Sequence, residues 1–360
     1  MSMASANTIS FWQKLDFLPA IFQISCETFA AAIWWPLRGE KAPRTFKRHI
    51  LLTLMRKTFA RLSTQQLQFI AGSTESNYIA WTKEQKIPAR SIQLSHLNTK
   101  AFWIGDDQAD TVVLYFHGGG YAMPGTVAHF TLLTRIISQA ATQVERSVAG
   151  LVLQYDLAPG EHYPRQITQC VELLRYVMTD LNKSPGQILL GGDSAGGTMV
   201  FSVLSHILHP HPSISPIELS TPIRAVFVSS PVTRFGFTAE RFHLNEIFEP
   251  APVSTLKEWI ANYLGTSGKD SWNEPGQNDG EWWEGLTNVV KGILITIATD
   301  EVMADDVQAM ASKITPVYPE LTVFSSKNDF HAEPGIGYSV GLEESECSQF
   351  IKHWVAERLL

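Results

Sequence analysis

The feature that most constrains the fold of this chain is a series of short, continuous apolar runs that begins after residue 110. Runs of this length suit strands that are buried on both faces, as at the centre of a parallel sheet. Helical patterns separate them, clearest in residues 164–180, where the apolar side chains share one face. Strands that alternate with helices predict right-handed βαβ units, and therefore an α/β fold with a mostly parallel central sheet and helices on both faces. The runs are Thr111 to Phe116, Gly150 to Tyr155, Ile188 to Leu190, Ala225 to Ser229, Ile293 to Ile297 and Leu321 to Phe324.

The chain before residue 90 has a different pattern. Residues 1–90 read as mainly helical and contain no β-rich run, whereas residues 91–96 and 101–104 look like paired strands. A length of 360 residues fits two domains at roughly 150 residues each, although a large α/β sheet often absorbs such a length as one domain. We therefore predict an N-terminal helical cap region over residues 1–90 and a sheet-bearing domain over residues 91–360.

The charge argues against nucleic-acid binding, and the cysteine pattern argues against a cysteine-ligated metal site or a disulfide framework. The net charge of −7 is mild, and acidic and basic residues are interspersed. This argues against nucleic-acid binding, which needs a basic face. Cys26, Cys170 and Cys347 are far apart and odd in number, and they match no metal-ligand spacing or disulfide framework. They are predicted to be free thiols in a reducing compartment.

The segment from Phe17 to Trp35 is rich in apolar and aromatic side chains. It lacks the basic region and small-residue cleavage site of a secretory signal, so a cytoplasmic, non-secreted protein is predicted. Pro19, Gln23 and Glu27 interrupt the segment, whereas a transmembrane helix needs about 20 predominantly apolar residues. The pattern favours a helix that packs on the body of the protein. Peripheral membrane contact through its aromatic face, and a true span, stay open as alternatives.

A nucleophile elbow follows the run that ends at Leu190. Gly192-Asp193-Ser194-Ala195-Gly196 fits Gly-x-Ser-x-Gly and lies between a predicted strand and a predicted helix. The turn presents the serine hydroxyl at a helix N-terminus, whose dipole favours developing negative charge. On its own the pentapeptide is a weak signal, because a small-residue turn between strand and helix would read the same. Ser194 is nevertheless the candidate nucleophile, and the N–H of Ala195 is a candidate oxyanion donor.

A glycine loop follows an earlier run. His117-Gly118-Gly119-Gly120-Tyr121 comes directly after Thr111 to Phe116. Successive glycines leave backbone N–H groups uncovered, so the chain can approach a substrate oxygen closely. A His-Gly-Gly-Gly segment after a strand is the partner of the elbow in the oxyanion holes of lipases and esterases. Because the elbow and the glycine loop occur together and in this order, a merely flexible glycine loop is a poor explanation of the His-Gly-Gly-Gly segment.

This pair of motifs resembles the hormone-sensitive-lipase family of α/β-hydrolases. The segment from Tyr155 to Pro159 is similar to that family's Tyr-x-Leu-Ala-Pro segment. Fungal members, some of them steryl-acetyl hydrolases or natural-product enzymes, are the most similar. The resemblance to these members is carried by Tyr163-Pro164-Arg165-Gln166, Ser205-His206 and Ser230-Pro231.

The resemblance runs from about Val112 to the C-terminus and is weak before residue 90. It implies an α/β-hydrolase fold, a catalytic domain over residues 91–360 and a variable helical cap before it. It also implies that Gly119 and Gly120 are the oxyanion donors of the glycine loop.

The resemblance also indicates the acid of a catalytic triad. The triad order in this fold is Ser, then Asp or Glu, then His, and the family motif Asp-Pro-Leu-x-Asp-Glu falls after the run that ends at Ile297. An ungapped alignment places the catalytic Asp of that motif on Glu301. The sequence departs from the pattern here, and a loop shifted by one residue would use Asp300 instead. Glu301 is the first choice and Asp300 the second.

The candidate base is His331, on the loop after the run that ends at Phe324. A lone loop histidine is usually a solvated surface residue. Position and chain order reverse that interpretation here, because this loop is where the family keeps its base. The other histidines precede the candidate acid or, like His353, fall within the terminal helical pattern.

These residues predict a serine carboxylic-ester hydrolase that works through an acyl-enzyme, with no metal or organic cofactor. The N-terminal segment and an aromatic-rich cap insertion at about residues 232–270 are expected to cover the catalytic mouth. An apolar cover favours a small hydrophobic ester as substrate, and the fungal resemblance implies an acetyl group on a sterol or natural product. Two alternatives stay open: an acyltransferase, cyclisation or C–C-cleaving enzyme with the same triad, and a non-catalytic ligand-binding protein on a hydrolase scaffold.

Overall fold

The computed structural model describes residues 9–37, 43, 45–94, 97–143, 147–237, 242, 245–337 and 340–360. Within them the chain forms an eight-stranded sheet with the strand order β1-β2-β4-β3-β5-β6-β7-β8. The pairs β1–β2 and β2–β4 are antiparallel, and every other neighbouring pair is parallel. The strands are β1 (Ser91–Leu94), β2 (Thr99–Ile104), β3 (Thr111–Phe116), β4 (Val148–Gln154), β5 (Ile188–Asp193), β6 (Ala225–Ser229), β7 (Ile293–Ala298) and β8 (Leu321–Ser326).

Helices precede the sheet, connect its parallel strands and end the chain. The α-helices are α1 (Phe11–Leu15), α2 (Phe17–Trp34), α3 (Phe46–Arg61), α4 (Thr64–Ala71), α5 (Thr74–Gln85), α6 (Val127–Ala141), α7 (Arg165–Thr179), α8 (Ala195–Leu208), α9 (Val253–Leu264), α10 (Ala304–Ile314), α11 (Glu333–Ile336) and α12 (Glu346–Leu359). Short 3₁₀ turns lie at Trp35–Leu37, Pro185–Gln187, Glu246–Phe248, Pro275–Gln277, Gly280–Trp283 and Leu286–Asn288.

The predicted fold class is confirmed, because the apolar runs become strands that are covered on both faces. All six residues of β3 are buried. Val112, Leu114 and Phe116 enter one hydrophobic cluster, whereas Val113 and Tyr115 enter another on the opposite face. This alternation is the period of two of a strand. Helices α7 and α8 contribute to the first cluster, and α6 and α12 to the second.

The parallel register brings the loops that carry the motifs to one edge of the sheet. Phe116 at the end of β3 is opposite Gly192 of β5, and Asp193 is opposite Ser229 of β6. At the far side, Ala298 of β7 pairs with Ser326 of β8. The residues that follow these strands therefore share the carboxyl edge, where ligands of open α/β sheets bind.

Helices α1 to α5, hereafter the N-terminal helical layer, lie within the region predicted to be a helical cap. The helical stretch Phe11–Leu37 is long and apolar enough to cross a membrane by length and composition, and 11% of its most apolar window is buried. The predicted boundary at residue 90 stays a prediction. Cys26, Cys170 and Cys347 are free thiols, as predicted.

The predicted cap insertion at about residues 232–270 contains α9 and many buried aromatic side chains. Phe235, Phe237 and Tyr263 belong to the main core, whereas Trp259 packs with Leu62, directly after α3, and with Leu67 of α4. Residues 238–241, 243 and 244 of this insertion lie outside the described residues. This predicted insertion therefore contributes some side chains to the main core, whereas Trp259 contacts residues that precede the sheet.

Candidate active site

Ser194 lies between β5 and α8 in a strained backbone conformation. Its φ is 51° and its ψ is −121°, a region that non-glycine residues rarely adopt. Gly196, the second residue of α8, packs so closely on β3 that a Cβ there would overlap the carbonyl oxygen of Phe116. The small residues around the serine therefore allow α8 to start against the sheet, with the serine side chain at its N-terminus.

The glycine loop is tied to this elbow by the carboxylate of Asp193. Asp193 Oδ1 accepts hydrogen bonds from Gly118 N at 3.0 Å and from Tyr115 Oη at 2.8 Å, and its Oδ2 lies 3.5 Å from His129 Nε2. Burial by itself would raise the pKa of Asp193, but His129, Tyr115 and the Gly118 N–H together hold that pKa below its usual range. Asp193 is thus a buried, ionised anchor between the two motifs.

Gly119 and Gly120 form a tight turn beside the elbow. Gly119 has a φ of 108°, which a residue with a side chain rarely adopts. Its carbonyl oxygen accepts hydrogen bonds from Ala122 N and Met123 N. Ala195 begins α8, and the first N–H groups of a helix have no intrahelical acceptor. The three predicted oxyanion donors therefore lie after neighbouring strands at the same sheet edge, two on the glycine loop and one at the start of α8.

The structure brings Ser194, His331 and Glu301 together. Ser194 Oγ lies 2.9 Å from His331 Nε2, and His331 Nδ1 lies 3.3 Å from Glu301 Oε2. The second contact is an ion-pair contact rather than a well-aligned hydrogen bond. Asp300, the second choice for the acid, is only half-buried, whereas the side chain of Glu301 is fully buried beside the imidazole.

The buried carboxylates determine the protonation of His331. Burial favours the neutral imidazole and so lowers its pKa. Glu249 and Glu301 outweigh that effect, and Asp193 adds to them, so the pKa of His331 rises to about 9. The neighbouring carboxylates therefore stabilise the imidazolium form of His331.

Contacts from other elements hold the loop that carries His331. Ala332 N donates to Ser230 Oγ at 3.2 Å, and Phe330 N donates to Glu333 Oε2 at 2.9 Å. Glu333 in turn pairs with Arg48 of α3, whose Nη2 lies 2.5 Å from Glu333 Oε1. The N-terminal helical layer thus supports the histidine loop through Glu333.

Sequence reasoning missed the roles of four residues that shape this site. Glu249 lies 3.8 Å from His331 Nδ1 through its Oε2, and it belongs to the cap insertion, where no motif marks it. Arg48 and Glu333 are 285 residues apart. Ser230 was noted only as part of Ser-Pro. No local pattern signals such pairings, because they depend on contacts between distant segments.

The site is closed to solvent around the nucleophile. Ser194 is 9% exposed and His331 5% exposed. The indole of Trp259 lies against Gly120, so that a Cβ on Gly120 would overlap its ring. Among the residues that the structure describes, no group of three or more His, Cys, Asp or Glu side chains could hold a metal ion. The absence of a cofactor stays a prediction.

A parallel sheet with a strand–Ser–helix elbow, followed by a carboxylate and then a histidine at its carboxyl edge, defines the class of α/β-hydrolase-fold proteins. A family model described as alpha/beta hydrolase fold matches residues 113–334. The match covers more than half of the chain, and the chain belongs to this family.

Similar proteins confirm the resemblance to the hormone-sensitive-lipase family. Steryl acetyl hydrolase 1 of Saccharomyces cerevisiae is 23% identical over 265 residues, which are 66% of this chain and 57% of that protein. Hormone-sensitive lipase of Mus musculus is 26% identical over 163 residues, which are 44% of this chain and 20% of that protein. The crystal structure of an esterase from the bacterial hormone-sensitive lipase family superposes with a TM-score of 0.63 at 21% identity, covering 88% of this chain and 99% of that one.

The chain spans only part of the curated relatives that it matches. The matched share of four of these relatives lies between 25% and 59% of their own length. The solved structure is less than 25% identical and therefore bears on the fold alone.

Proposed function

We propose that this chain is a serine carboxylic-ester hydrolase with a catalytic triad of Ser194, His331 and Glu301. The observation that carries the proposal is the 2.9 Å contact between Ser194 Oγ and His331 Nε2, with Glu301 at the opposite ring nitrogen. Relatives named steryl acetyl hydrolase and hormone-sensitive lipase support the same class of reaction.

In the proposed mechanism, Ser194 Oγ attacks the ester carbonyl carbon while His331 Nε2 takes the hydroxyl proton. Glu301 holds the imidazole and stabilises the imidazolium. The tetrahedral intermediate then loses its alcohol, which leaves with the proton from His331. Water attacks the acyl-enzyme with His331 again as base, which releases the acid and restores Ser194.

The N–H groups of Gly119, Gly120 and Ala195 are proposed to stabilise the oxyanion. Their support is the adjacency of the two loops and the strained, glycine-dependent turns that hold them. A preorganised donor of this kind contributes roughly 3 kcal/mol to transition-state stabilisation. Asp193 contributes indirectly, because it ties the glycine loop to the elbow.

The proposed substrate is a small hydrophobic ester with a short acyl group. Trp259 fills the space beside Gly120, which leaves little room for a long acyl chain on that side of the oxyanion loop. The side chains packed with Trp259 form a buried apolar cluster beside the oxyanion loop, and such surroundings suit a hydrophobic ester. They are Ala20, Leu62, Leu67, Ala122 and Ala251.

We further propose that α1 and α2 contact a membrane surface. These helices expose large apolar side chains to an extent that soluble monomers rarely show: Trp12 is 76% exposed, Leu18 77% and Phe22 72%. Only Ala20 and Ile24 of α2 are buried. An apolar helix that lies on the protein and faces outward is suited to the interface of a bilayer.

The test of the ester-hydrolase proposal is labelling and turnover of the Ser194→Ala variant. The wild-type chain should bind a fluorophosphonate probe covalently and hydrolyse p-nitrophenyl acetate. Ser194→Ala should lose the label and roughly 10⁴- to 10⁶-fold of the turnover, with an unchanged circular dichroism spectrum. Equal turnover by both chains would overturn the proposal.

Product analysis separates hydrolysis from its alternatives. With an acetylated hydrophobic alcohol in water, a hydrolase releases free acetate in proportion to free alcohol. Transfer of the acetyl group to an added alcohol in preference to water would identify an acyltransferase. A wild-type chain that binds the ester without a label at Ser194 would identify a non-catalytic binding protein.

A further inference from the structure

A second carboxylate faces the imidazole of His331. Glu249 Oε2 lies 3.8 Å from His331 Nδ1, while Glu301 Oε2 lies 3.3 Å from the same atom. The side chain of Glu249 is 1% exposed and that of Glu301 fully buried. One ring nitrogen is therefore flanked by two buried acids, whereas the proposed triad uses only one of them.

Glu249 is anchored to the loop of the triad acid. Its Oε1 accepts a hydrogen bond of 2.7 Å from the backbone N of Val302, the residue directly after Glu301. One carboxylate therefore bridges two parts of the site: Oε1 holds the acid loop and Oε2 faces the imidazole. A carboxylate used in this way defines the position of Glu301 relative to His331.

The backbone of Glu249 is held from the N-terminal helical layer. Arg56 of α3 donates through Nη1 to the carbonyl oxygens of Ile247 and Glu249, at 2.9 and 3.1 Å. Glu249 follows the 3₁₀ turn Glu246–Phe248, so these two bonds fix the end of that turn. The position of the second carboxylate is thereby set by a helix that precedes the sheet by many residues.

The charges around the pair make this arrangement responsive to pH. His331 is faced by Glu249, Glu301 and Asp193, and Glu249 is faced by His331, Glu301 and Arg56. Burial raises the pKa of Glu249 to about 7; Glu301 adds to this rise, whereas His331, the Val302 N–H and Arg56 oppose it. When ionised, Glu249 places a second negative charge beside an imidazolium.

We propose that Glu249 is a positioning residue of the ester hydrolase, which orients His331 toward Ser194 and holds the Glu301–Val302 loop against the imidazole. The inference rests on the proposed function, because it assigns a part in the same reaction. Glu249 touches no reacting atom: it acts through the Nδ1 side of His331 and through the Val302 N–H.

The test compares Glu249→Gln with Glu249→Ala. The glutamine keeps an oxygen that accepts from Val302 N but removes the charge, whereas the alanine removes both. Glu258→Gln is the matched control. Glu258 is an exposed glutamate of α9 that accepts a hydrogen bond from Thr64, and its substitution removes one negative charge away from the histidine. Each variant is assayed for kcat/KM on p-nitrophenyl acetate between pH 5 and 10.

With one carboxylate removed, the acid limb of the pH profile should move down by about one pH unit in Glu249→Gln, because an opposite charge at this distance raises a histidine pKa by at least that much. The plateau of kcat/KM should fall about tenfold, and Glu249→Ala should fall further. Glu258→Gln should match the wild type. An unmoved acid limb and a plateau within twofold of wild type in Glu249→Gln would overturn the inference.

A readout that needs no turnover separates this inference from the proposed function. The imidazole of His331 is titrated by NMR in wild type and Glu249→Gln, with His331→Gln to assign its signal. A lower midpoint in Glu249→Gln supports the charge contact even in an inactive chain, and an equal midpoint refutes it. An active wild type with unchanged Glu249→Gln rejects only the role of Glu249, whereas an active Ser194→Ala rejects the ester-hydrolase proposal itself.

Discussion

The carboxyl edge of the sheet and the N-terminal helical layer contribute to the candidate site in different ways. The sheet edge carries the triad residues and the proposed oxyanion donors, and each of them follows a strand that the apolar pattern predicts. The helical layer carries none of these groups, yet Arg48 and Arg56 of α3 hold Glu333 and the backbone of Glu249. The difference teaches that motifs mark the reacting groups, whereas unmarked residues of another region hold them in position.

At the sheet edge, the adjacent residues Glu301 and Asp300 are the two candidates for the triad acid. Of the comparisons that follow, this pair should show the largest change in kcat/KM. Glu301→Gln should lower kcat/KM by roughly 10³- to 10⁴-fold, because it removes the partner of the imidazolium while keeping the size of the side chain. Asp300→Asn is the matched control and should change kcat/KM little. Steady-state kinetics on p-nitrophenyl acetate measures both variants. A larger loss of kcat/KM in Asp300→Asn than in Glu301→Gln would make Asp300 the triad acid.

In the helical layer, Arg48→Met should lower kcat/KM about tenfold, since a loosened His331 loop misplaces the base. It should also destabilise the fold by about 1–3 kcal/mol at pH 8, because Glu333 then stays buried without its partner. Lys47→Met, an exposed change on the same helix, is the control. Equal kcat/KM values of the two variants would show that Arg48 of the helical layer does not position His331.

The loss of folding stability in Arg48→Met should depend on pH. Burial raises the pKa of Glu333 to about 7, and Asp329 adds to the rise while Arg48 opposes it. A carboxyl whose folded pKa is raised destabilises the fold increasingly as pH rises from the unfolded pKa through the folded one. The loss on removing Arg48 should therefore be larger at pH 8 than at pH 6, as measured by urea unfolding at both.

A smaller effect is expected where the cap insertion meets the sheet edge. Trp259→Ala should open space beside Gly120 and raise kcat/KM for p-nitrophenyl octanoate relative to the acetate several-fold. Trp282→Ala removes the same side chain from a half-buried position against His209 and serves as the control. An unchanged ratio would show that the acyl chain does not lie on this side of the loop.

The smallest effect on turnover is expected at the exposed face of the helical layer. Phe22→Glu should weaken binding to phosphatidylcholine–phosphatidylserine vesicles by about tenfold or more, because a buried phenylalanine contributes roughly 1.5–3 kcal/mol. Turnover of a soluble ester should stay unchanged. Ile87→Glu, an exposed apolar position after α5, controls for the added charge, and vesicle flotation measures binding. Wild-type chain that stays unbound would contradict the membrane proposal.

The strands were predicted within a few residues, because continuous apolar runs have few alternatives to a buried strand. Two of them, Thr111–Phe116 and Ala225–Ser229, match the predicted bounds. Helix ends follow less directly from the pattern: the periodic segment 164–180 becomes α7 (Arg165–Thr179), whereas α8 begins at Ala195, directly after the serine of the elbow. Caps and loop contacts decide such ends, and they involve residues outside the periodic pattern.

The sequence by itself determined the elbow at Ser194 and the glycine turn at Gly119, because their backbone conformations require particular residues at adjacent positions. Only the tertiary structure decided that Glu301 rather than Asp300 lies beside His331, and that Glu249 lies there too. The physical reason is that the cap insertion, the acid loop and the histidine loop meet through packing and through bonds from α3. Such contacts join residues that are far apart in the chain, and no local pattern encodes them.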